Sequence, residues 1–493
     1  MHKPSKKIAV IGSGFGALSA AIRLAAKGHD VTIYEKLDKP GGRAYQYEIN
    51  GFKFDGGPTV ITAPHQYDEL FELAGKKRED YMTLVPLDPF YRIFNGNGEH
   101  FDYWRSQEQT EEEIKKFSPD DINGYRKFIK GVTSIFHWFH PFTEKSFPSL
   151  WSFLRIFPHV IKTGTWRSMY AYAAKYIKHD FIRKVASFHP LLVGGNPFDT
   201  PSIYGLIIQF EKEWGIHYCI GGTGAIVKAL CKLFEDCGGR IILNAEVKQI
   251  LIQNKKAAGI ELKDGSIHEA DEVVCNGDVA FAYKNYIPAA VLPKPLNLWL
   301  SNLQYSNSLV VIYFGTMKKY TNTKLSHHNL VLGNEYSKLM RDIFNRKVLP
   351  KDLGLYLHMP SKTDSTIAPE ECDSFYVLSL VPNLDSITNW NHLKEEYADK
   401  VLGFLEENYL PQLRENIIAK HIVTPLHFQQ NLNSYKGAAF SIKPSMMQSG
   451  YFRPQVKSKW FDNLYFVGAG VHPGAGVPAV MASGKIAATA IEQ

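Results

Sequence analysis

The segment KIAVIGSGFGALSAAIRLAAKG, from Lys7 to Gly28, constrains the fold more than any other part of the chain. KIAVIG has the pattern of a short buried strand, ALSAAIRLAAKG that of a helix closed by Gly28, and DVTIYEK that of a second strand finishing at Glu35. Between the first strand and the helix lies Gly12-x-Gly14-x-x-Ala17, with Gly16 as a further small residue inside it. In a strand–helix–strand context each small residue has a mechanical reason. Gly12 permits the tight turn, Gly14 lets backbone approach a pyrophosphate, and Ala17 lets helix and strand pack closely. The helix N-terminus offers its free N–H groups to phosphates. Glu35 stands where a carboxylate binds ribose hydroxyls, and it disfavours a 2′-phosphate, so the expected ligand is NAD or FAD.

The residues after the second strand separate these two ligands. LDKPGGRAYQYEINGFKFDGGPTVIT carries a second glycine pair, Gly41-Gly42, then Arg43, then FDGGPT ending at Thr59. This order resembles the flavoprotein superfamily of amine oxidases, protoporphyrinogen oxidases and carotenoid desaturases. The resemblance implies FAD, with Lys36 beside the ribose-binding acid and Gly42, Arg43, Gly57, Pro58 and Thr59 along the cofactor towards the flavin. It also implies that backbone at Val247 touches the adenine. Near the C-terminus, NLYFVGAG reads as a strand entering a turn and VPAVMASGKIAATAIEQ as a final helix. This second loop repeats the strand–glycine–helix logic without a full fingerprint. By resemblance it serves the same FAD, with Gly468, Gly470, Gly476 and Val477 passing the ribityl chain and isoalloxazine.

A chain of 493 residues is too long for one compact core, so interleaved subdomains are expected. The fold class expected is α/β. A Rossmann-like FAD-binding domain is assembled from three discontinuous segments, 1–85, 215–285 and 425–493. A mixed substrate domain comprises 86–114 and 286–424, and 115–214 forms a helical lid able to contact a membrane. Within the middle FAD segment, GGTGAIVKALCKLFEDCGG has helical periodicity, and RIILNAEVKQILIQNKKAAGIELKDGSIHEADEVV comes next as several short strands with a turn at Lys263-Asp-Gly.

The lid segment interleaves aromatic and basic residues. Trp166, Tyr170, Ala173, Ile177 and Phe181 are spaced as one face of a single helix, with Arg167, Lys175, Lys178, Arg183 and Lys184 off that face. Such a helix either lies in a bilayer interface or buries its stripe in its own domain. The neighbouring FPSLWSFLRIFPHV, apolar on more than one face, favours the membrane. A net charge of +7 suits an anionic membrane surface and falls short of a nucleic-acid binder. No stretch approaches the roughly 18 apolar residues of a spanning helix, and nothing after Gly12 resembles a signal-peptide cleavage site. Five cysteines without a C-x-x-C suggest neither a disulfide framework nor a zinc site, and fit a reducing, cytoplasmic setting with peripheral membrane association.

Four stretches make the resemblance specific: DKPGGRAYQYEINGFKFDGGPTVIT, SFHPLLVGGNPFDTPSIYGLI, LYLHMPSKTDSTIAPEECDSFYVL and YKGAAFSIKPSMMQSGYFRP. Together they are similar to phytoene desaturases of the bacterial and fungal type, over essentially the whole chain from Ile8. Two positions depart from that family's pattern: Val471 replaces a usual Thr or Ala, and Glu371 a common Gly. The resemblance implies FAD-dependent conversion of phytoene to lycopene, with a hydride leaving to flavin N5 and a proton lost from the neighbouring carbon. Oxygen or a quinone is the implied electron acceptor, and a surplus of aromatics, 13% of residues, suits an apolar substrate. No catalytic base is assigned. His472 is the candidate, against a turn-shaping role, while His189, Asp199 and His358 are equally explained by local packing. Other readings are a C30 diapophytoene desaturase, a 3,4-desaturase of a hydroxylated carotenoid, an amine or porphyrinogen oxidase, and a non-catalytic prenyl-lipid carrier.

Overall fold

The structure, a computed structural model, describes residues 4–147, 149, 151 and 154–493. Its two large sheets use, in chain order, β1 (Lys7–Ile11), β2 (Asp30–Tyr34), β3 (Tyr91–Phe94), β4 (His100–Tyr103), β5 (Arg240–Ile242), β6 (Glu272–Cys275), β7 (Ser308–Thr316), β8 (His328–Val331), β9 (Leu355–His358), β10 (Asp373–Val381), β11 (Ile417–Val423) and β12 (Leu464–Phe466). The helices that position the site are α1 (Phe15–Ala25), α2 (Ile122–Phe139), α3 (Phe157–Thr163), α4 (Met169–Ala174), α5 (Asp180–Ser187), α6 (Thr223–Asp236) and α7 (Val477–Glu492).

The first sheet has the order β12-β6-β1-β2-β5, and all its pairs are parallel. Its strands therefore come from the two ends and the middle of the chain. β1 is apolar from Ile8 to Ile11 and fully buried there, as a strand covered on both faces must be. Of the short strands after α6, the first, β5, joins this sheet; the next three, Val247–Gln253, Lys256–Leu262 and Ile267–Glu269, form a separate antiparallel meander. Every residue of α1 is buried, and α7 packs directly across it. The close crossing depends on Gly484: a Cβ there would lie 2.5 Å from the Gly16 carbonyl oxygen and 2.8 Å from the Ala20 nitrogen.

The second sheet is mixed, in the order β11-β7-β10-β9-β8-β3-β4, with only β8 and β3 parallel. Its strands alternate faces. Outward residues such as Val310, Leu355 and Val377 pack beneath the helix Trp390–Asn408. Inward residues such as Tyr313, Tyr356 and Tyr376 share an aromatic-rich core with Phe128, Tyr172, Phe181 and Phe188 of the helical region.

That helical region corrects one expectation. Residues 166–181 do not form one helix: α4 and α5 are separate, joined through 175–179. The buried Asp121 carboxylate accepts from the backbone N–H groups of Lys178 and His179, at 2.8 and 2.7 Å, and so takes donors a continuous helix would need. The stripe is also split, because Ala173, Ile177 and Phe181 are buried while Trp166 is exposed. Pro148, Leu150, Ser152 and Phe153 of the apolar stretch lie outside the described residues. Among the described residues no helix is long and apolar enough to cross a membrane.

The α1–α7 crossing yields a direct test. Gly484→Val is expected to cost about 1–3 kcal/mol through overpacking and to lower the thermal midpoint. Gly403→Ala, in helix Trp390–Asn408 with nothing near its Cβ, should leave the midpoint unchanged or raise it slightly. Differential scanning fluorimetry of both variants checks the pair.

Candidate functional site

The two glycine loops meet. Gly12 takes φ +84° where β1 turns out of the sheet, and α1 begins after Gly14 with its first-turn N–H groups lacking intrahelical partners. A Cβ at Gly14 would lie 2.5 Å from Asn276 Nδ2; one at Gly16 would lie 2.8 Å from Asn276 Oδ1 and 2.9 Å from the Gly468 nitrogen. Asn276 comes directly after β6, so all three chain segments of the first sheet converge at these glycines. Gly468 itself has φ +101°, and its N–H donates to Ser483 Oγ in α7. Ala17 is fully buried.

Glu35 stands one residue past β2 and is buried. Its Oε2 accepts from the Ser13 N–H and Oγ at 2.9 and 2.6 Å, and its Oε1 from the Leu37 N–H at 3.0 Å. Ser13 Oγ in turn accepts from the Gly41 N–H. One serine thus ties the acid to both the first loop and the second glycine pair. The Lys36 ammonium donates to Asn433 Oδ1 and the Gln430 carbonyl, and burial lowers its pKa. Val247 is buried just beyond Ala245, whose N–H donates to the Glu35 carbonyl.

Gly42 has φ +57°, and a Cβ there would sit 3.5 Å from the Gly14 Cα. Arg43 Nη2 donates to Ser434 Oγ at 2.7 Å, while its Nε is buried without a hydrogen-bond partner. Burial lowers the pKa of this guanidinium and the buried Asp278 opposes that shift. Gly57 passes so close to the turn Gly42–Ala44 that a Cβ would meet the Arg43 carbonyl oxygen at 2.1 Å. Pro58 accepts from Thr223 Oγ1 through its carbonyl, and Thr59 Oγ1 bonds the hydroxyls of Tyr356 and Tyr376. The segment 56–59 is therefore pinned between α6 and the inward face of the second sheet.

Opposite lies the C-terminal loop. Gly470 has room for little: a Cβ would be 3.1 Å from both Ser441 Oγ and Val279 Cγ2. Gly476, φ +99°, caps α7, and Val477 opens it. Arg453, 2% exposed, holds the loop from behind, donating to the carbonyls of Ala469, Val471, Ile442 and Gln448. His472 is buried and its Nε2 bonds the carbonyls of Phe142 and Lys145 at 2.9 and 3.1 Å. Carbonyls accept only, so Nε2 carries the proton, and Nδ1 is a buried lone pair without a partner. Burial pushes the His472 pKa down to about 4, with the Phe142 carbonyl opposing.

Of the other singled-out residues, His189 forms a fully buried pair with Glu211 at 3.0 Å, and Tyr91 donates to the same carboxylate. Asp199 accepts from Asn196 Nδ2 in a surface turn. His358 belongs to a buried histidine cluster on β8 and β9. Ser13, Asn276, Ser434 and Arg453 carry no signal in the sequence; each acts on residues brought near only by folding.

This arrangement fits FAD. Four glycines, Gly14, Gly16, Gly41 and Gly468, line one junction where side chains would crowd their neighbours, and Gly42 adds a left-handed turn beside Gly14. Asn276 Oδ1 and Arg43 Nε are buried there without partners, and a helix N-terminus opens onto it.

Residues 18–492 match the family described as flavin containing amine oxidoreductase. The chain is 43% identical over 488 residues to a phytoene desaturase (lycopene-forming) of Pantoea ananas, covering 98% of each chain. It is 40% identical to a phytoene desaturase (neurosporene-forming) of Rhodobacter capsulatus, covering 98% of this chain and 93% of that one. To a 4,4'-diapophytoene desaturase of Staphylococcus haemolyticus it is 34% identical, covering 98% of each. In fold it is similar to an oxidoreductase from Methanosarcina mazei, with a TM-score of 0.70, 19% identity and coverage of 99% and 100%. Cyclohexylamine oxidase from Brevibacterium oxydans gives 0.64 at 15% identity, with 99% of each chain covered.

His472 supplies a pH signature. In the unfolded chain its imidazole takes a proton below about pH 6.5, whereas the folded site resists protonation until about pH 4. Between these values the unfolded state binds more protons, so stability falls as the pH drops. The His472→Gln variant should lose part of the wild-type decrease in thermal midpoint between pH 7 and pH 5. Melting curves at the two pH values measure the difference.

Proposed function

The chain belongs to the flavin containing amine oxidoreductase family and, within it, to the carotenoid desaturases, and we propose that it converts phytoene to lycopene through successive desaturations with FAD as cofactor. The full-length similarity to lycopene-forming relatives carries this reading. When bound, FAD would supply the two-electron oxidant that accepts a hydride from a C–H bond of one carbon of a saturated pair, the neighbouring carbon losing a proton as the double bond forms.

The chain's own residues bind and orient. Gly12, Gly14, Gly16 and Ala17, with the N-terminus of α1, receive the pyrophosphate. Glu35 keeps lone pairs for ribose hydroxyls while Ser13 fixes its orientation, Lys36 closes that end against Asn433, and backbone at Val247 borders the adenine. Gly42, Arg43, Gly57, Pro58 and Thr59 on one side, and Gly468, Gly470, Gly476 and Val477 on the other, border the flavin end. Arg453 holds the second group in place by gathering its carbonyls. His472 is a positioning residue in this reading, because its Nε2 proton is committed to the segment 142–145. On this basis 1–85, 215–285 and 425–493 form the FAD domain, 86–114 and 286–424 the substrate domain, and 115–214 the lid.

The lid also carries the contact with the membrane in which a C40 hydrocarbon resides. Trp138, Trp151, Leu154, Phe157, Ile161 and Trp166 are all exposed within one short stretch. Trp138 stacks on His159 at 3.5 Å, which joins the end of α2 to α3 and brings this stretch together. Arg155, Lys162 and Arg167 are interspersed, as suits an anionic bilayer interface on the cytoplasmic side. A hydrocarbon substrate offers no polar handle, so delivery from the bilayer to the aromatic inner core replaces recognition by charge. Oxygen or a quinone receives the electrons.

Liposomes carrying phytoene test both parts at once. The FAD-loaded wild type should form lycopene, in air or with an added quinone. A Trp151→Ser, Phe157→Ser, Ile161→Ser variant should retain its flavin absorbance yet lose about tenfold in liposome binding and product. Conversion of C30 diapophytoene with no lycopene-series product from phytoene would overturn the substrate assignment.

A further inference from the structure

On the inward face of the second sheet, hydrocarbon chemistry leaves one cluster unexplained. His328 and His358 are direct cross-strand partners of β8 and β9, and His327 precedes β8. The three rings lie together, with centroids 4.6, 4.8 and 5.3 Å apart. They are 5%, 1% and 0% exposed. One nitrogen of each lies within 4.8 Å of one nitrogen of both others.

The oxygens around the cluster arrange the nitrogens. Thr363 Oγ1 lies 2.7 Å from His327 Nδ1, and the Tyr356 hydroxyl 2.7 Å from His328 Nδ1. In the tautomer in which both δ nitrogens donate to these hydroxyls, the ε nitrogens of His327 and His328 are lone pairs. Tyr356 passes its own proton on to Thr59 Oγ1, 2.9 Å away. His327 Nε2 meets His358 Nε2 at 3.0 Å, but His328 Nε2 is buried without any partner. Leaving such a lone pair dry costs free energy that an acceptor-seeking ligand would recover.

We propose that His327, His328 and His358 form a binding site for a divalent first-row transition ion, with zinc as its representative. Neutral imidazole nitrogen is the donor such ions take, and oriented outer partners on the δ nitrogens are the usual support of a ligating histidine; His327 and His328 have them, while His358 Nδ1 is buried without one. The donor set has no thiolate, and it has no carboxylate to favour magnesium or calcium. Zinc–nitrogen bonds of about 2.0–2.1 Å set tetrahedral ligand atoms roughly 3.3 Å apart. The His327–His358 pair is already near that spacing. On binding, the proton shared between the His327 and His358 ε nitrogens moves to His358 Nδ1, so three ε lone pairs face the ion and water completes the shell. Asp364, 3% exposed, lies behind Tyr218, which donates to it, and supplies negative potential without entering the shell. The ion would clamp β8 to β9 beside Thr59, on the face that borders the flavin segment. Cysteine spacing holds no hint of it, because the ligands are histidines on paired strands.

Metal content of the untagged, FAD-loaded full chain tests this, after expression with added zinc and a brief chelator wash. About one zinc per chain is expected, with an X-ray absorption spectrum of imidazole nitrogen ligation and a thermal midpoint that falls when zinc is stripped. His328→Gln and His358→Gln should hold less than a tenth of that zinc while retaining flavin absorbance. Wild-type protein without zinc, a spectrum showing thiolate ligation, or full zinc in a flavin-bearing His358→Gln variant would each overturn the proposal. The wild-type stoichiometry and spectrum decide the matter even where a variant fails to fold.

Discussion

At the junction of β1, β6 and β12, three stretches of chain far apart in sequence come closer than side chains allow. Gly14 and Gly16 face Asn276, and Gly16 faces the Gly468 nitrogen. Only hydrogen at these α-carbons lets the first loop, the end of β6 and the C-terminal loop share one space. The same restriction recurs one helix turn away, where Gly484 of α7 crosses the carbonyl of Gly16. A five-stranded parallel sheet built from both ends and the middle of the chain requires this junction, and the proposed binding of a single cofactor from two sides would require it too. The carboxylate of Glu35, fixed by Ser13, and the carbonyls gathered by Arg453 stiffen its two halves.

From that junction the segment 56–59 reaches across to the second sheet. Thr59 is held by Tyr356 and Tyr376, and Tyr356 is held in turn by His328. In the proposed reading the two sheets divide the labour: the first would present backbone to a polar cofactor, and the second an aromatic face to an apolar substrate. The polar groups on that face occur as a connected chain of hydroxyls and imidazoles, which satisfies most of them and leaves His328 Nε2 and His358 Nδ1 without partners.

Much of this is legible in the sequence where chemistry is local. The turn at Gly12, α1, the acid after β2, α6, and the strand–loop–helix at the C-terminus each depend on neighbours a few residues away, and the structure contains all of these elements. Resemblance then supplies the family. Local patterns fail where a distant group decides. The spacing from Trp166 to Phe181 is helical, yet Asp121, far upstream, takes the backbone donors of Lys178 and His179 and breaks the helix. Ser13, Asn276, Ser434 and Arg453 are invisible because an isolated serine, asparagine or arginine carries no spacing signal. His327, His328 and His358 escape notice as a group for the same reason, since cross-strand pairing alone unites them.

The central claim is that both glycine loops serve one FAD. Calorimetric titration of the apoprotein with FAD tests it most directly. The account predicts one FAD bound per chain, with binding abolished by Gly14→Val and, independently, by Gly468→Val. Two FAD molecules per chain, or undiminished affinity in a folded Gly468→Val variant, would contradict it.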